Sequence, residues 1–145
     1  MATSHSKVNV HQAGKAHVLR RLKQLGLSAS LAPRGEPFHI EVASADKSTL
    51  VTLVVSARTG RAHGGWVMNE RHERIATPRC FYALVDFEAD PPITYVVPSA
   101  VIADWLKKDH ARWLREDSSH KDNPVRKLGN GSWLDVYREA WAPIQ

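Results

Sequence analysis

Cysteine is almost absent from this sequence, in which Cys80 is the single example among 145 residues. One cysteine excludes an internal disulfide framework and any zinc site built from several cysteines, and it suits a reducing compartment. No stretch approaches the roughly 20 consecutive apolar residues that span a bilayer. Residues 1–9 lack the apolar centre of a signal peptide and are expected to form a flexible N-terminus. We therefore expect a cytoplasmic protein that makes no membrane contact.

Acidic residues are missing from a long stretch near the N-terminus, since none occurs between Gln12 and Gly35. The whole chain carries a formal net charge of +5. A basic balance of this kind favours polyanionic partners such as nucleic acid. Glycine-rich phosphate-binding loops are also absent, because Gly60 and Gly64 have neither the spacing nor the strand-to-helix context of such motifs. The sequence therefore does not predict a nucleotide enzyme of those classes.

A helix is predicted over residues 10–26. Val18, Leu22 and Leu25 recur at spacings of four and three, and Gly26 is a typical C-terminal stop. The opposite side of this helix is basic. Such a side is often only solvated, and contact with a phosphate backbone is the functional alternative. The residues concerned are Lys15, Arg20, Arg21 and Lys23.

A β-hairpin is predicted over residues 37–58, because two alternating stretches rich in β-branched residues flank a short polar turn. Alternation places His39 and Glu41 on one face of the first strand. The other face of this strand carries Phe38, Ile40 and Val42. On the second strand, one face carries Val51, Leu53 and Val55, and the opposite face carries Thr52, Val54 and Ser56.

Further elements follow the hairpin. Residues 59–65 are expected to form a flexible loop, and residues 80–87 and 93–97 form a second hairpin around Pro91 and Pro92. Ser99 is expected to cap a helix over residues 100–114, and a short helix lies in the tail. The predicted fold class is α/β (α+β): one domain with a mixed sheet flanked by helices. Its core spans residues 10–116, and residues 117–145 form a C-terminal extension that packs on it.

The order of these elements resembles the PD-(D/E)XK, or restriction-endonuclease-like, superfamily, and in particular a group of small bacterial members. The likeness covers roughly residues 12–128. The matching positions are Ala13, Gly14, Leu22, Gly26, Gly35, Pro37, Trp66, residues 81–86, residues 95–99, residues 109–114 and residues 120–124.

The resemblance implies a metal-dependent nuclease site on the first hairpin. Members of the superfamily bind Mg²⁺ with a first-strand carboxylate and a Glu-x-Lys or Gln-x-Lys on the second strand, often joined by an acid on the first helix. The metal lowers the pKa of its bound water, and the lysine stabilises the charge that grows on the phosphate. On this chain the four positions fall on Lys15, Ile40, Val54 and Ser56, none of which is acidic. The resemblance therefore predicts a degenerate site with no metal and no cofactor.

An active variant is the alternative hypothesis. Glu41 lies one residue from the expected acid, and a one-residue shift would turn it toward the site. His39, Asp46 and Lys47 are nearby in sequence and could supply migrated groups. In that case the protein would be a Mg²⁺-dependent DNA endonuclease.

Three functions remain open from the sequence. The first is a pseudo-nuclease that binds nucleic acid non-specifically or serves as an assembly subunit. The second is the rearranged endonuclease. The third is a protein-interaction subunit, or a homodimer, whose Trp-rich C-terminal part contacts a protein partner. The expected nucleic-acid contacts are Lys15, Arg20, Arg21, Lys23, Arg58 and Arg61.

Overall fold

The structure is a computed structural model that describes residues 7–43, 50–59 and 65–145. Its two α-helices are α1 (Lys7–Gln24) and α2 (Ser99–Glu116). Its strands are β1 (Ser28–Leu31), β2 (Ile40–Ala43), β3 (Leu50–Arg58), β4 (Gly65–Asn69), β5 (Cys80–Asp86), β6 (Ile93–Pro98) and β7 (Val125–Gly129). Short 3-10 helices cover Glu70–Arg74, Ser132–Tyr137 and Ala142–Ile144.

Five strands form the central sheet, in the order β1-β2-β3-β5-β6. The β3–β5 pair is parallel and its neighbours are antiparallel. The second sheet is the antiparallel pair β4–β7. The predicted mixed sheet flanked by helices is confirmed, and so are both predicted hairpins.

Helix α1 covers one face of the central sheet. Val18 and Leu22 are fully buried there against Ile40 and Leu53. Close approach depends on Gly14, because a Cβ atom at this position would lie 2.8 Å from the Cβ atom of Ala57. The end of the chain packs on the same side through Trp141 and Ile144.

Helix α2 and the small sheet cover the opposite face. Ile102 and Leu106 of α2 are buried beside Trp66 of β4, Leu128 of β7 and Tyr82 of β5. The two faces of β3 therefore belong to two separate apolar clusters. Within the described parts of the chain, no helix has the length and apolar character needed to cross a bilayer.

Strands β4 and β7 correct the sequence prediction, which gave no strand between residues 59 and 79 and only a short helix in the tail. Strand β7 was missed because its burial is inverted: Arg126 is buried and Val125 is exposed. Its partner β4 also exposes an apolar side chain, that of Val67. Alternation of apolar and polar residues cannot identify strands in which an arginine is on the buried face and valines are on the exposed face.

Two local expectations were also wrong. Phe38 packs with Val54 rather than with Ile40, because regular pairing of β2 begins only at Ile40 and alternation does not extend upstream. The Ser99 side chain does not cap α2. It is buried as the first residue of the helix, and its hydroxyl donates to the carbonyl of Thr77 over 2.9 Å.

Candidate functional site

A cavity of about 300 Å³ lies beside the second half of β3. We call it the histidine cavity. Its walls come from six places in the chain: α1, the segment before β2, β3, β4, the Glu70–Arg74 helix and β5. The polar residues that line it are His11, His39, Ser56, Asn69, Arg71, His72 and Tyr82.

The His39 ring is held by the backbone of β3. The N–H of Val55 donates to Nδ1 of His39 over 2.8 Å. An Nδ1 atom that accepts a hydrogen bond carries no proton, so the neutral ring has its proton on Nε2. Burial lowers the pKa of His39, and the positive charges of Lys15, His11 and Arg71 lower it further. His39 is therefore an uncharged donor at neutral pH.

The His72 ring is held in the same way by Tyr82. Nδ1 of His72 lies 2.7 Å from the hydroxyl oxygen of Tyr82, whose side chain has no solvent exposure. Burial raises the pKa of Tyr82, so the hydroxyl remains protonated, and we assign it as the hydrogen-bond donor to Nδ1 of His72. Burial, with the nearby charge of Arg71, lowers the pKa of His72 to about 4. The second imidazole is also neutral, with its proton on Nε2.

The Glu70–Arg74 helix carries Arg71 and His72 into the cavity wall. Asn69 caps it, since its Oδ1 accepts from the N–H of Arg71 over 3.1 Å. The Asn69 amide nitrogen is then left as a donor. Strand β7 holds the helix from behind, because the guanidinium of Arg126 pairs with Glu73. These two contacts fix the position of the short helix that carries Arg71 and His72.

No aspartate or glutamate occurs among the described residues that line the cavity. In the same parts of the chain, no group of three or more His, Cys, Asp or Glu side chains is arranged to hold a metal ion. Mg²⁺ requires oxygen ligands, usually carboxylates. The Mg²⁺ that the resemblance implies does not fit these residues. Hydrogen-bond donors and positive charge suit an anion instead.

The structure brings together three of the four positions that the resemblance singles out. Val54 and Ser56 line the cavity, and Lys15 lies close enough to influence the His39 ring. Ile40 lies elsewhere, fully buried in the cluster against α1. The β2 side of the cavity is formed by His39, one residue earlier.

The residues considered for a migrated site are separated. Glu41 is half-buried, pairs with Thr52 in the sheet register, and is not among the residues that line the cavity. Asp46 and Lys47, like Arg61 of the basic set, lie outside the described residues.

Helix α1 presents its basic residues in different directions. Arg20 and Lys23 are exposed. Arg21 lies on another side of the helix, where Nε is 4.0 Å from the Glu139 carboxylate.

Arg58 is buried in an ion pair. Its guanidinium donates to the carboxylate of Asp86 and to the amide oxygen of Asn130, each over 2.9 Å. The same group lies 4.2 Å from the centre of the Trp66 ring. Arg58 therefore has little surface left for a phosphate contact.

Sequence reasoning missed five polar residues of the cavity: His11, Asn69, Arg71, His72 and Tyr82. Asn69 before Glu70 is a recognisable helix cap and could have located the short helix. Tyr82 lies beside Val54 through the parallel β3–β5 register, which no local pattern shows.

A larger surface depression, of about 820 Å³, runs along α2. It is an open groove whose charged residues neutralise one another, as in the Asp109–Arg112 pair. It gathers no set of converging groups comparable with the histidine cavity.

No protein-family model matches the chain, and no curated protein sequence matches it. Among solved structures, the bacterial homing endonuclease I-Ssp6803I is similar in fold, with a TM-score of 0.57. The sequences are 18% identical, and the likeness covers 96% of this chain and 91% of that protein. The chain therefore has a nuclease-like fold.

Proposed function

We propose that the protein binds the phosphate groups of nucleic acid at the histidine cavity and along α1, and that it does not cleave the phosphodiester with a metal ion. One observation carries this proposal: the described lining of the cavity contains several hydrogen-bond donors and the guanidinium of Arg71 but no carboxylate. Phosphate oxygens are the complementary ligand.

The surroundings of the cavity support an anionic ligand. Lys15 and Arg71 are the fixed charges that act on the His39 ring, and both are positive. Arg20 and Lys23 are exposed along the same helix as Lys15. A nucleic acid bound at the cavity could therefore extend its backbone along α1 and meet further cations.

The fold likeness agrees with a nucleic-acid ligand. The similar solved structure is named a homing endonuclease. Cleavage is a separate matter, because it depends on particular side chains rather than on the fold. The described lining of the histidine cavity supplies histidines, an arginine and a serine rather than the carboxylates that a magnesium site needs.

Binding is tested by fluorescence anisotropy of a labelled DNA duplex between 50 and 200 mM KCl. We expect affinity to fall as salt rises, with a slope in log–log form that corresponds to about three phosphate contacts. Lys15→Ala and Arg71→Ala should each reduce the slope by about one contact.

Matched controls separate a local contact from a general loss of charge. Lys107→Ala and Arg115→Ala remove the same charges from exposed positions on α2. They should leave both the affinity and the slope nearly unchanged. Equal losses in all four variants would mean that the cavity has no special role, and absence of binding at 50 mM KCl would contradict the proposal.

A further inference from the structure

We propose that the histidine cavity receives a terminal phosphate monoester, the phosphorylated end of a nucleic-acid strand. This inference rests on the proposed function and makes it more specific. It names the part of the nucleic acid that enters the cavity, whereas the α1 cations would contact the following backbone.

Part of the cavity lining belongs to the buried core of the protein. Val54, Met68 and Tyr82 form part of its lining and are exposed by only 2%, 6% and 0%. A strand that continued in both directions would need a way in and a way out past these side chains. A strand end needs a single opening. The volume of about 300 Å³ is at the lower end for small-ligand sites and accommodates a phosphate with its sugar.

The donors of the cavity suit a monoester better than a diester. Nδ1 of His39 accepts from a backbone N–H, and Nδ1 of His72 is assigned as the acceptor of the Tyr82 hydroxyl, so each neutral ring has an Nε2–H to donate. Arg71 adds a guanidinium, which can form two parallel hydrogen bonds to a phosphate. A terminal phosphate offers three non-bridging oxygens and a charge between about −1.5 and −2 at pH 7. An internal diester offers two such oxygens and a single charge.

The two imidazoles are also oriented before the ligand arrives. The backbone of β3 orients His39, the buried Tyr82 hydroxyl orients His72, and the Asn69 cap orders the start of the helix that carries Arg71. Groups that are already oriented lose little conformational freedom on binding. The cavity is therefore preorganised for a compact anion with several acceptors.

The test compares three labelled single-stranded DNA oligomers of one sequence: with a 5′-phosphate, with a 3′-phosphate, and with neither. Affinities are measured by fluorescence anisotropy at 150 mM KCl. We expect one phosphorylated end to bind about tenfold tighter than the unphosphorylated oligomer. Inorganic phosphate should abolish this difference in affinity by competition. The two phosphorylated oligomers, compared with each other, show which end is recognised.

Variants locate the preference. His39→Ala and His72→Ala should abolish it and leave the weaker, salt-dependent binding of the unphosphorylated oligomer. His72→Gln keeps an N–H donor near the position of Nε2 and should retain part of the preference. Arg115→Ala should retain all of it. Circular dichroism verifies that each variant is folded.

The outcomes separate this inference from the proposed function. Equal affinity for the three oligomers would overturn the strand-end inference and leave the proposed function standing. If none of the three oligomers binds, the proposed function and the strand-end inference both fail.

Discussion

The imidazole of His39, rather than a backbone carbonyl, accepts the hydrogen bond from the N–H of Val55. The N–H of Val55 donates to the imidazole Nδ1 over 2.8 Å, while the N–H of His39 donates to the carbonyl of Leu53 over 2.8 Å. Regular pairing of β2 begins one residue later, at Ile40. Protonation of Nδ1 would break the first bond, so the sheet itself favours the neutral ring.

The neutral histidines should make the fold sensitive to acid. The pKa values of His39 and His72 are lowered in the folded chain, that of His72 to about 4. Unfolded histidines take up protons near pH 6.5, so unfolding gains protons as the pH falls from about 6.5 toward 4 and the folded state loses stability. We expect His72 to account for about 1 kcal/mol of loss between pH 7.5 and 5.0, allowing for partial solvent screening.

Urea unfolding at the two pH values measures this loss, and His72→Gln should reduce it because glutamine does not titrate. An equal loss in wild type and variant would show that His72 does not contribute.

Tyr82→Phe should raise the pKa of His72. The hydroxyl donates to Nδ1 of the neutral ring, and removing that donor destabilises the neutral form relative to the protonated one. The value should stay below the ordinary 6.5, because burial remains the larger cause. An NMR titration of the His72 ring protons measures it, with Tyr137→Phe as a control outside the cavity. An unchanged or lower pKa would argue against the assigned tautomer.

Arg58→Ala should destabilise the protein by about 3 kcal/mol, because it leaves the Asp86 carboxylate buried without its partner. Burial raises the pKa of Asp86, but the hydrogen bonds and charge of Arg58, with backbone N–H groups, outweigh it and keep the pKa low. Lys108→Ala breaks an exposed pair with Asp104 and should cost less than about 0.5 kcal/mol. Chemical denaturation compares the two, and similar costs would mean that the Arg58 pair is not structural.

Glu73→Gln should weaken phosphate binding, although Glu73 does not line the histidine cavity. The change removes the charge that pairs with the buried Arg126 and loosens the helix that carries Arg71 and His72. We expect the dissociation constant for inorganic phosphate to rise about fivefold, the effect of losing one hydrogen bond. Glu70→Gln alters an exposed residue of the same helix and should have little effect. NMR titrations measure both, and equal constants would contradict the positioning role.

The local elements of the fold were predictable from the sequence. Helix α1 carries regular apolar spacing because it buries one face, and β3 and β5 are rich in apolar residues because both of their faces are largely buried. The β4–β7 sheet was not predictable, since the buried Arg126 depends on an ion pair with Glu73, a residue 53 positions away. Such pairing has no signal within the strand itself.

The candidate site was predictable only in part. Val54, Ser56 and Lys15 were placed near the site, but the β2 position was assigned to Ile40 rather than His39. A one-residue slip turns every side chain of a strand to the other face, and a short strand leaves the register open. His72 and Tyr82 meet through tertiary packing, which neither spacing nor composition records.

The most direct test of the account is incubation with supercoiled plasmid and Mg²⁺ or Mn²⁺, followed by one gel that resolves nicking and mobility shift. Wild type and Glu41→Ala are run in parallel, since Glu41 is the acid of the alternative endonuclease. We predict a shift that weakens with salt in both proteins and no nicking by either. Metal-dependent nicking by the wild type would contradict the account, and its loss in Glu41→Ala would assign cleavage to that carboxylate.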